Sequence, residues 1–216
     1  MYKGNVNQFL NSKKRQELVD RLDMLDMWRI YSTESNHSNL TKYNGNQDII
    51  KLPDLFTRIN EKAFEKNIKV KEIEMNEHLT SIGSSAFSNC IKLNKVKLNS
   101  AIQLIGFKAF YNTVIEEIEL PMLLKELGNL AFSNCLYLKD IYVRSRLLRL
   151  IAILNAVRDN NETQIINIHM LKCRKETVMK EFQSLVDRDS KLQWYIDKAN
   201  SEEIIHLENM KVYFDL

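Results

Sequence analysis

The dipeptide Ala-Phe occurs four times at near-constant spacing, as Ala63-Phe64, Ala86-Phe87, Ala109-Phe110 and Ala131-Phe132. The intervals between the phenylalanines are 23, 23 and 22 residues. Such a period commits the chain to a stack of like units, because one unit of that length has too little apolar surface to fold alone. The surroundings of each dipeptide repeat as well. An aliphatic residue stands five positions before each Phe (Ile59, Ile82, Ile105, Leu127), and glycine follows it in three copies (Gly83, Gly106, Gly128). Downstream, the pattern apolar-x-x-apolar-x-apolar reads Val70, Ile73, Met75, then Leu93, Val96, Leu98, then Ile115, Ile118, Leu120, then Leu138, Ile141, Val143.

The alternation that closes each copy predicts a short strand with one side inward and the other outward. Stacking lays these strands side by side over a column of aliphatics, with the Phe side chains as a second column. Alanine beside each Phe permits close backbone approach. Glycine after the aliphatic residue is expected to supply a turn with positive φ.

Copies such as IGSSAFSNCIKLNKVKL and LGNLAFSNCLYLKDIYV resemble the BspA-type (Treponema-type) leucine-rich repeat, a unit of roughly 23 residues with an IG-x-x-AF-x-x-C frame. The resemblance covers about two-fifths of the chain. It implies an α/β solenoid: a short right-handed, gently curved leucine-rich-repeat array with a parallel sheet on the concave side. It further implies a role in binding macromolecules rather than in catalysis. Cys90 and Cys135 hold the family's small interior position, which bridges loop backbone. Members are often cell-surface proteins with long arrays, whereas about four copies are legible in this chain.

The two ends read differently from the array. Residues 1–48 are expected to form an N-terminal cap, with one or two helices over 6–31 (Leu18, Leu22, Leu25 and Trp28 share one face) and a loop over 32–48. Residues 49–143 hold the repeats. Residues 144–216 form a C-terminal cap or a small α/β lobe. Within it, Leu147, Leu150, Ile151 and Leu154 predict a helix, 165–169 one more strand, and 175–186 a second amphipathic helix. A degenerate repeat followed by a cap is the favoured reading.

Hydrophobic residues make up 44% of the 216 and charged residues 27%, as expected of a globular chain. The net charge of +3 is too mild and mixed to point to nucleic acid. The densest basic cluster, Arg144, Arg146 and Arg149, reads as a solvated or carboxylate-paired face. Nucleic-acid binding through it is possible but disfavoured, and it would make affinity steeply salt-dependent. The N-terminus lacks the features of a secretory leader. The apolar stretch 147–157 is too short to span a bilayer. Three cysteines without a CxxC pair suit a reducing compartment, so a cytoplasmic location with no membrane contact is expected.

No phosphate loop, dinucleotide fingerprint, nucleophile elbow or HExxH occurs. No catalytic residue, cofactor or metal is assigned. The histidines (His37, His78, His169, His206) are scattered. A Cys173–His169 pair is weighed against a packed cysteine and a surface histidine, and the second is preferred. Two surfaces could take a protein partner. One is the outward strand face, whose columns read Glu72, Lys95, Glu117, Asp140 and Glu74, Lys97, Glu119, Tyr142. The charges alternate over three rungs, as in a salt-bridge ladder, and Asp140, Tyr142, Arg144 and Arg146 stand at its open end. The other is a break in the frame, where Phe107 and Tyr111 face the same way and Leu130 replaces a polar residue. A cytosolic, non-catalytic protein-binding scaffold is the leading expectation. Its Lys-, Asn- and Ile-rich composition suggests a phage- or mobile-element-encoded inhibitor of a host protein. The rival is an enzyme or effector with its site in 144–216.

Overall fold

The computed structural model describes residues 28–32, 38–160, 164–186, 204–207 and 209–216. Over these residues the chain winds into a parallel β-solenoid with a strand column on each of two faces. The back column is a six-stranded sheet. It holds β1 (Trp28–Ser32), β2 (Ser38–Tyr43), β4 (Phe56–Ile59), β6 (Ser81–Ile82), β8 (Leu104–Ile105) and β10 (Glu126–Leu127), in that spatial order. The front column holds β3 (Ile49–Lys51), β5 (Glu72–Glu74), β7 (Lys95–Lys97), β9 (Glu117–Leu120), β11 (Asp140–Val143) and β12 (Ile166–Met170). Register follows the repeat: Ile50 lies beside Ile73, Ile73 beside Val96, and Ile118 beside Ile141 and then Ile168.

The Ala-Phe loops form a third column. Phe64, Phe87, Phe110 and Phe132 are fully buried and stack ring on ring, with successive centroids at 4.6, 5.2 and 5.4 Å. Adjacent strands lie about 4.8 Å apart, so one Phe per turn arrives at stacking distance without distortion. Backbone bonds reinforce the column: Phe64, Phe87 and Phe110 N–H groups donate to Ala86, Ala109 and Ala131 carbonyls at 2.7, 2.7 and 2.8 Å.

The expected role of glycine is corrected. Among the described residues no glycine has positive φ. The left-handed corners fall two residues later, at Lys62, Ser85, Lys108 and Leu130, and again after each Phe at Lys66, Asn89, Asn112 and Asn134. The glycines are needed for space. A Cβ on Gly106 would lie 2.6 Å from Ser84 N, and one on Gly128 2.4 Å from Gly106 C. Each glycine lets its backbone press on the turn before it.

The ends also depart from expectation. Trp28–Ser32 is a strand, antiparallel to β2, so the four residues from Trp28 to Tyr31 are not helical. The rest of the expected N-terminal helical segment, 6–27, lies outside the described residues. The middle of the expected 32–48 loop, Ser38–Tyr43, is β2, which runs parallel to β4, with Leu40 fully buried. Tyr43 caps the Phe column, 4.9 Å from Phe64.

At the other end, α1 (Leu150–Ala156) replaces the next back strand, and Phe132 N–H donates to Ala156 O at 2.8 Å as it would to the alanine of another copy. The strand expected at 165–169 is β12. A 3-10 turn (Lys172–Arg174) and α2 (Lys175–Val186) follow, and β13 (Ile205–Leu207) and β14 (Met210–Tyr213) close the front sheet, β14 beside β12. Among the described residues no helix is long and apolar enough to cross a membrane.

Candidate binding face

Strand alternation puts Ile50, Ile73, Val96, Ile118 and Ile141 in the core and turns charged neighbours outward. The outward charges pair along the stack, each cation reaching back to the acid of the preceding turn. The pairs are Lys71–Asp48 at 3.1 Å, Lys95–Glu72 at 3.8 Å, Lys97–Glu74 at 2.6 Å, Lys139–Glu116 at 3.1 Å and Arg144–Glu119 at 2.9 Å. The Glu74 carboxyl is held below the usual glutamate range by its hydrogen bond to Lys97 and by that ammonium's charge.

The ladder expected over three rungs is interrupted at the third. Lys95 and Lys97 form no ion pair with Glu117 and Glu119, and no backbone pairing joins β7 to β9. The front sheet is therefore two sheets, β3-β5-β7 and β9-β11-β12-β14-β13. The cause is in the sequence. Four positions separate Asn89 from Leu93, but three separate Asn112 from Ile115, which is the missing residue of the 22-residue interval.

Two side-chain bridges fail at the same junction. Cys90 and Cys135 reach back to Phe64 O and Phe110 O at 3.1 and 3.2 Å, whereas Thr113 bonds Phe110 O of its own turn at 3.0 Å. Asn76 donates to Pro53 O and Phe56 O, and Asn99 to Asn76 O and Leu79 O. The corresponding residue of the next turn is Pro121, which has no donor. A cleft of about 1120 Å³ opens there. Val96, Leu98 and Ile118 line its floor, with Lys97, Glu117 and Tyr142 among its walls.

From the edge of the cleft, Tyr142, His169 and Tyr213 stack across three strands, with centroids 4.7 and 5.2 Å apart. His169 Nδ1 lies 2.8 Å from Asp215 Oδ2, and its Nε2 lies 3.2 Å from Asp140 Oδ1. Burial, and then the charges of Asp140, Glu117 and Asp215, push the Tyr142 phenol above its ordinary value. The expected surface histidine and packed cysteine are thus reversed, since His169 is largely covered and Cys173 is exposed. Cys90 and Cys135 are buried, and burial pushes the Cys90 thiol up to about 12.

The second expected surface lies on the loop side. Phe107 is 46% exposed and Tyr111 half-buried, and the Lys108 ammonium sits 5.3 and 4.9 Å from their ring centroids. Leu130 is half-buried at a left-handed corner, its N–H donating to Asn155 O at 2.9 Å. Phe107 also lines a groove with Leu147, Leu148 and Arg149. The basic cluster is divided, with Arg144 at the front cleft, Arg149 at this groove and Arg146 exposed. Phe107 and Tyr111 are brought together, and so are Asp140, Tyr142 and Arg144, but the two groups are separate. Asp215 and Tyr213 escaped the sequence reading because the tail carries no repeat. Among the described residues no group of three or more His, Cys, Asp or Glu side chains is placed to hold a metal.

The profile of the BspA type leucine-rich repeat region matches residues 37–152 in six copies. The chain belongs to this family. Two more turns of the array are thus present than the four Ala-Phe units, one on each side. Of solved structures, the pneumococcal vaccine antigen PcpA is 22% identical, with a TM-score of 0.56, over 70% of this chain and 44% of that one. The Treponema pallidum leucine-rich repeat protein is 17% identical, with a TM-score of 0.48, over 67% and 83%. A leucine-rich repeat protein of Bacteroides capillosus is 24% identical, with a TM-score of 0.48, over 54% and 94%. The BspA-type array here spans less than half the length of the PcpA chain. No curated protein matches the sequence significantly.

Proposed function

We propose that this leucine-rich repeat protein is a non-catalytic scaffold that binds a protein partner on its front face, between β7 and the Tyr142 stack. The observation that carries the reading is the cleft itself, which joins an apolar floor to a charged rim with Tyr142 at its edge. Apolar contact area beside an aromatic anchor and a polar rim is the usual composition of a protein-binding hot spot. The finer reading is an inhibitor of a host protein, acting in a reducing cytoplasm. Its support is compositional, together with three free cysteines, one of them exposed.

Affinity capture from the native host with Glu117→Lys/Tyr142→Ala beside Phe107→Asp tests the assignment. Loss of the captured protein in the first variant alone supports the front face. Loss in the Phe107 variant alone moves the interface to the loop side, where exposed Phe107 and Leu147 (55%) favour a second reading.

A further inference from the structure

The interrupted junction leaves two strand edges facing each other in mid-sheet. At intact junctions the bonds follow a rule. Lys95 N–H donates to Lys71 O at 3.2 Å and Met75 N–H to Lys97 O at 2.9 Å, so residues 95 and 97 direct their backbone groups to β5. Asp140 N–H donates to Glu116 O at 3.4 Å and Arg144 N–H to Leu120 O at 3.0 Å, so the even residues of β9 face β11. Alternation then turns the backbone groups of Val96 and Leu98 on one edge, and of Glu117 and Glu119 on the other, into the gap. Leu52 and Met75, the equivalents of Leu98, donate to Glu74 and Lys97 carbonyls at 2.9 Å, and Leu98 has no such bond.

We infer that this gap is an acceptor slot for an extended segment of the partner protein, which enters as a parallel or antiparallel guest strand between β7 and β9. The inference rests on the front-face reading above and specifies its mode. Exposed strand edges template pairing with another chain, and main-chain bonds supply the affinity in that mode. The flanking charges already point away from the gap, with Lys95 and Lys97 held by Glu72 and Glu74 and with Glu119 held by Arg144, so no cross-gap ion pair draws the halves together.

The floor selects a small apolar residue between Val96 and Ile118. The rim, cationic on one side and anionic on the other, selects neutral polar residues at the flanking positions. A guest needs its two neighbours about 9.6 Å apart. Cα atoms of β7 and β9 approach within 8 Å, so entry requires an opening of about 2 Å or more. The unbroken back sheet, the Phe87–Phe110 stack and the loop bonds from Asn89 N–H to Tyr111 O at 2.8 Å and from Val114 N–H to Leu93 O at 3.0 Å remain as the hinge. Strands of three and four residues match a guest of the same length.

A library of random displayed decapeptides panned against the full chain tests the slot, the enriched peptides being resynthesised for anisotropy and amide-exchange measurements. The expected result is peptides with alternating apolar and polar residues that slow exchange at Val96, Leu98, Glu117 and Glu119. Their binding should weaken at least tenfold when the backbone amide of the central apolar residue is N-methylated. A chain with one alanine inserted between Asn112 and Thr113 and Pro121→Asn should bind at least tenfold more weakly, because the front ladder is then closed. Three results overturn the inference: no enrichment, unchanged affinity after N-methylation, or slow exchange at the four amides before any peptide is added. Peptides that protect Tyr142 or Phe107 but not these amides overturn the slot and leave the scaffold reading standing.

Discussion

The junction between the first and second Ala-Phe units and the junction between the second and third are built from nearly the same residues, yet they behave differently. At the first, β5 and β7 pair in register, Cys90 reaches Phe64 O, Asn99 reaches back to the preceding turn, and Lys95 and Lys97 meet Glu72 and Glu74. At the second, one residue is missing after Asn112, and all four links are lost while the back strands β6 and β8 and the Phe stack continue. The faces of a solenoid are thus separable. A deletion in one corner can open the front without breaking the turn.

The comparison can be broken most directly at what still holds the second junction. Phe110→Ala removes a fully buried ring stacked on both sides and is expected to cost about 3–5 kcal/mol. Because strand pairing on the front is absent at this junction, urea unfolding of this variant should split into two transitions, while Phe64→Ala should keep one. A single transition for both would mean that the front gap does not weaken coupling.

Gly106→Ala forces a methyl onto the Ser84 backbone and should cost about 2–3 kcal/mol by thermal or urea unfolding. Asn60, which holds the equivalent place in the first unit, should accept glycine with little change.

Repair of the gap by one alanine after Asn112 with Pro121→Asn restores backbone and side-chain bonds and should stabilise by about 1–2 kcal/mol. Unchanged stability would show that the two junctions are energetically alike.

The smallest effect belongs to the surface charges. Lys97→Ala should barely move the unfolding midpoint, because both partners are well exposed. The sign of its pH dependence is still determined. Glu74 has a lowered pKa in the folded chain, so its contribution is present above the ordinary glutamate range and is lost as pH falls through the lowered folded value. Acid titrations of the two proteins should diverge above that range and converge below it.

The repeat was legible because its constraints are periodic, so Ile, Gly, Ala-Phe and the strand pattern recur where the backbone needs them. The outermost copies were missed because their markers are replaced by residues that do the same work by other means. Tyr43 stands for Phe at the first turn, and α1 stands for a strand at the last. Glycine was assigned the wrong duty because sequence spacing does not separate a left-handed corner from a close contact, and lysine, serine, asparagine and leucine took the corners. The side chains gathered at the front face come from two sources. Tyr142 and Asp140 follow from the column alignment, but Asp215 and Tyr213 arrive from the tail, where no period announces them. The 22-residue interval was countable from the start, although only the strand pairing gives it consequence.

Cys90 and Cys135 lie on opposite sides of the gap, both buried and both hydrogen-bonded to a phenylalanine carbonyl, while Cys173 is exposed. A thiol reagent should therefore react with Cys173 at once and with the other two only when their own half opens. The chain carries two internal clocks, and their difference in rate reads how independently its halves breathe.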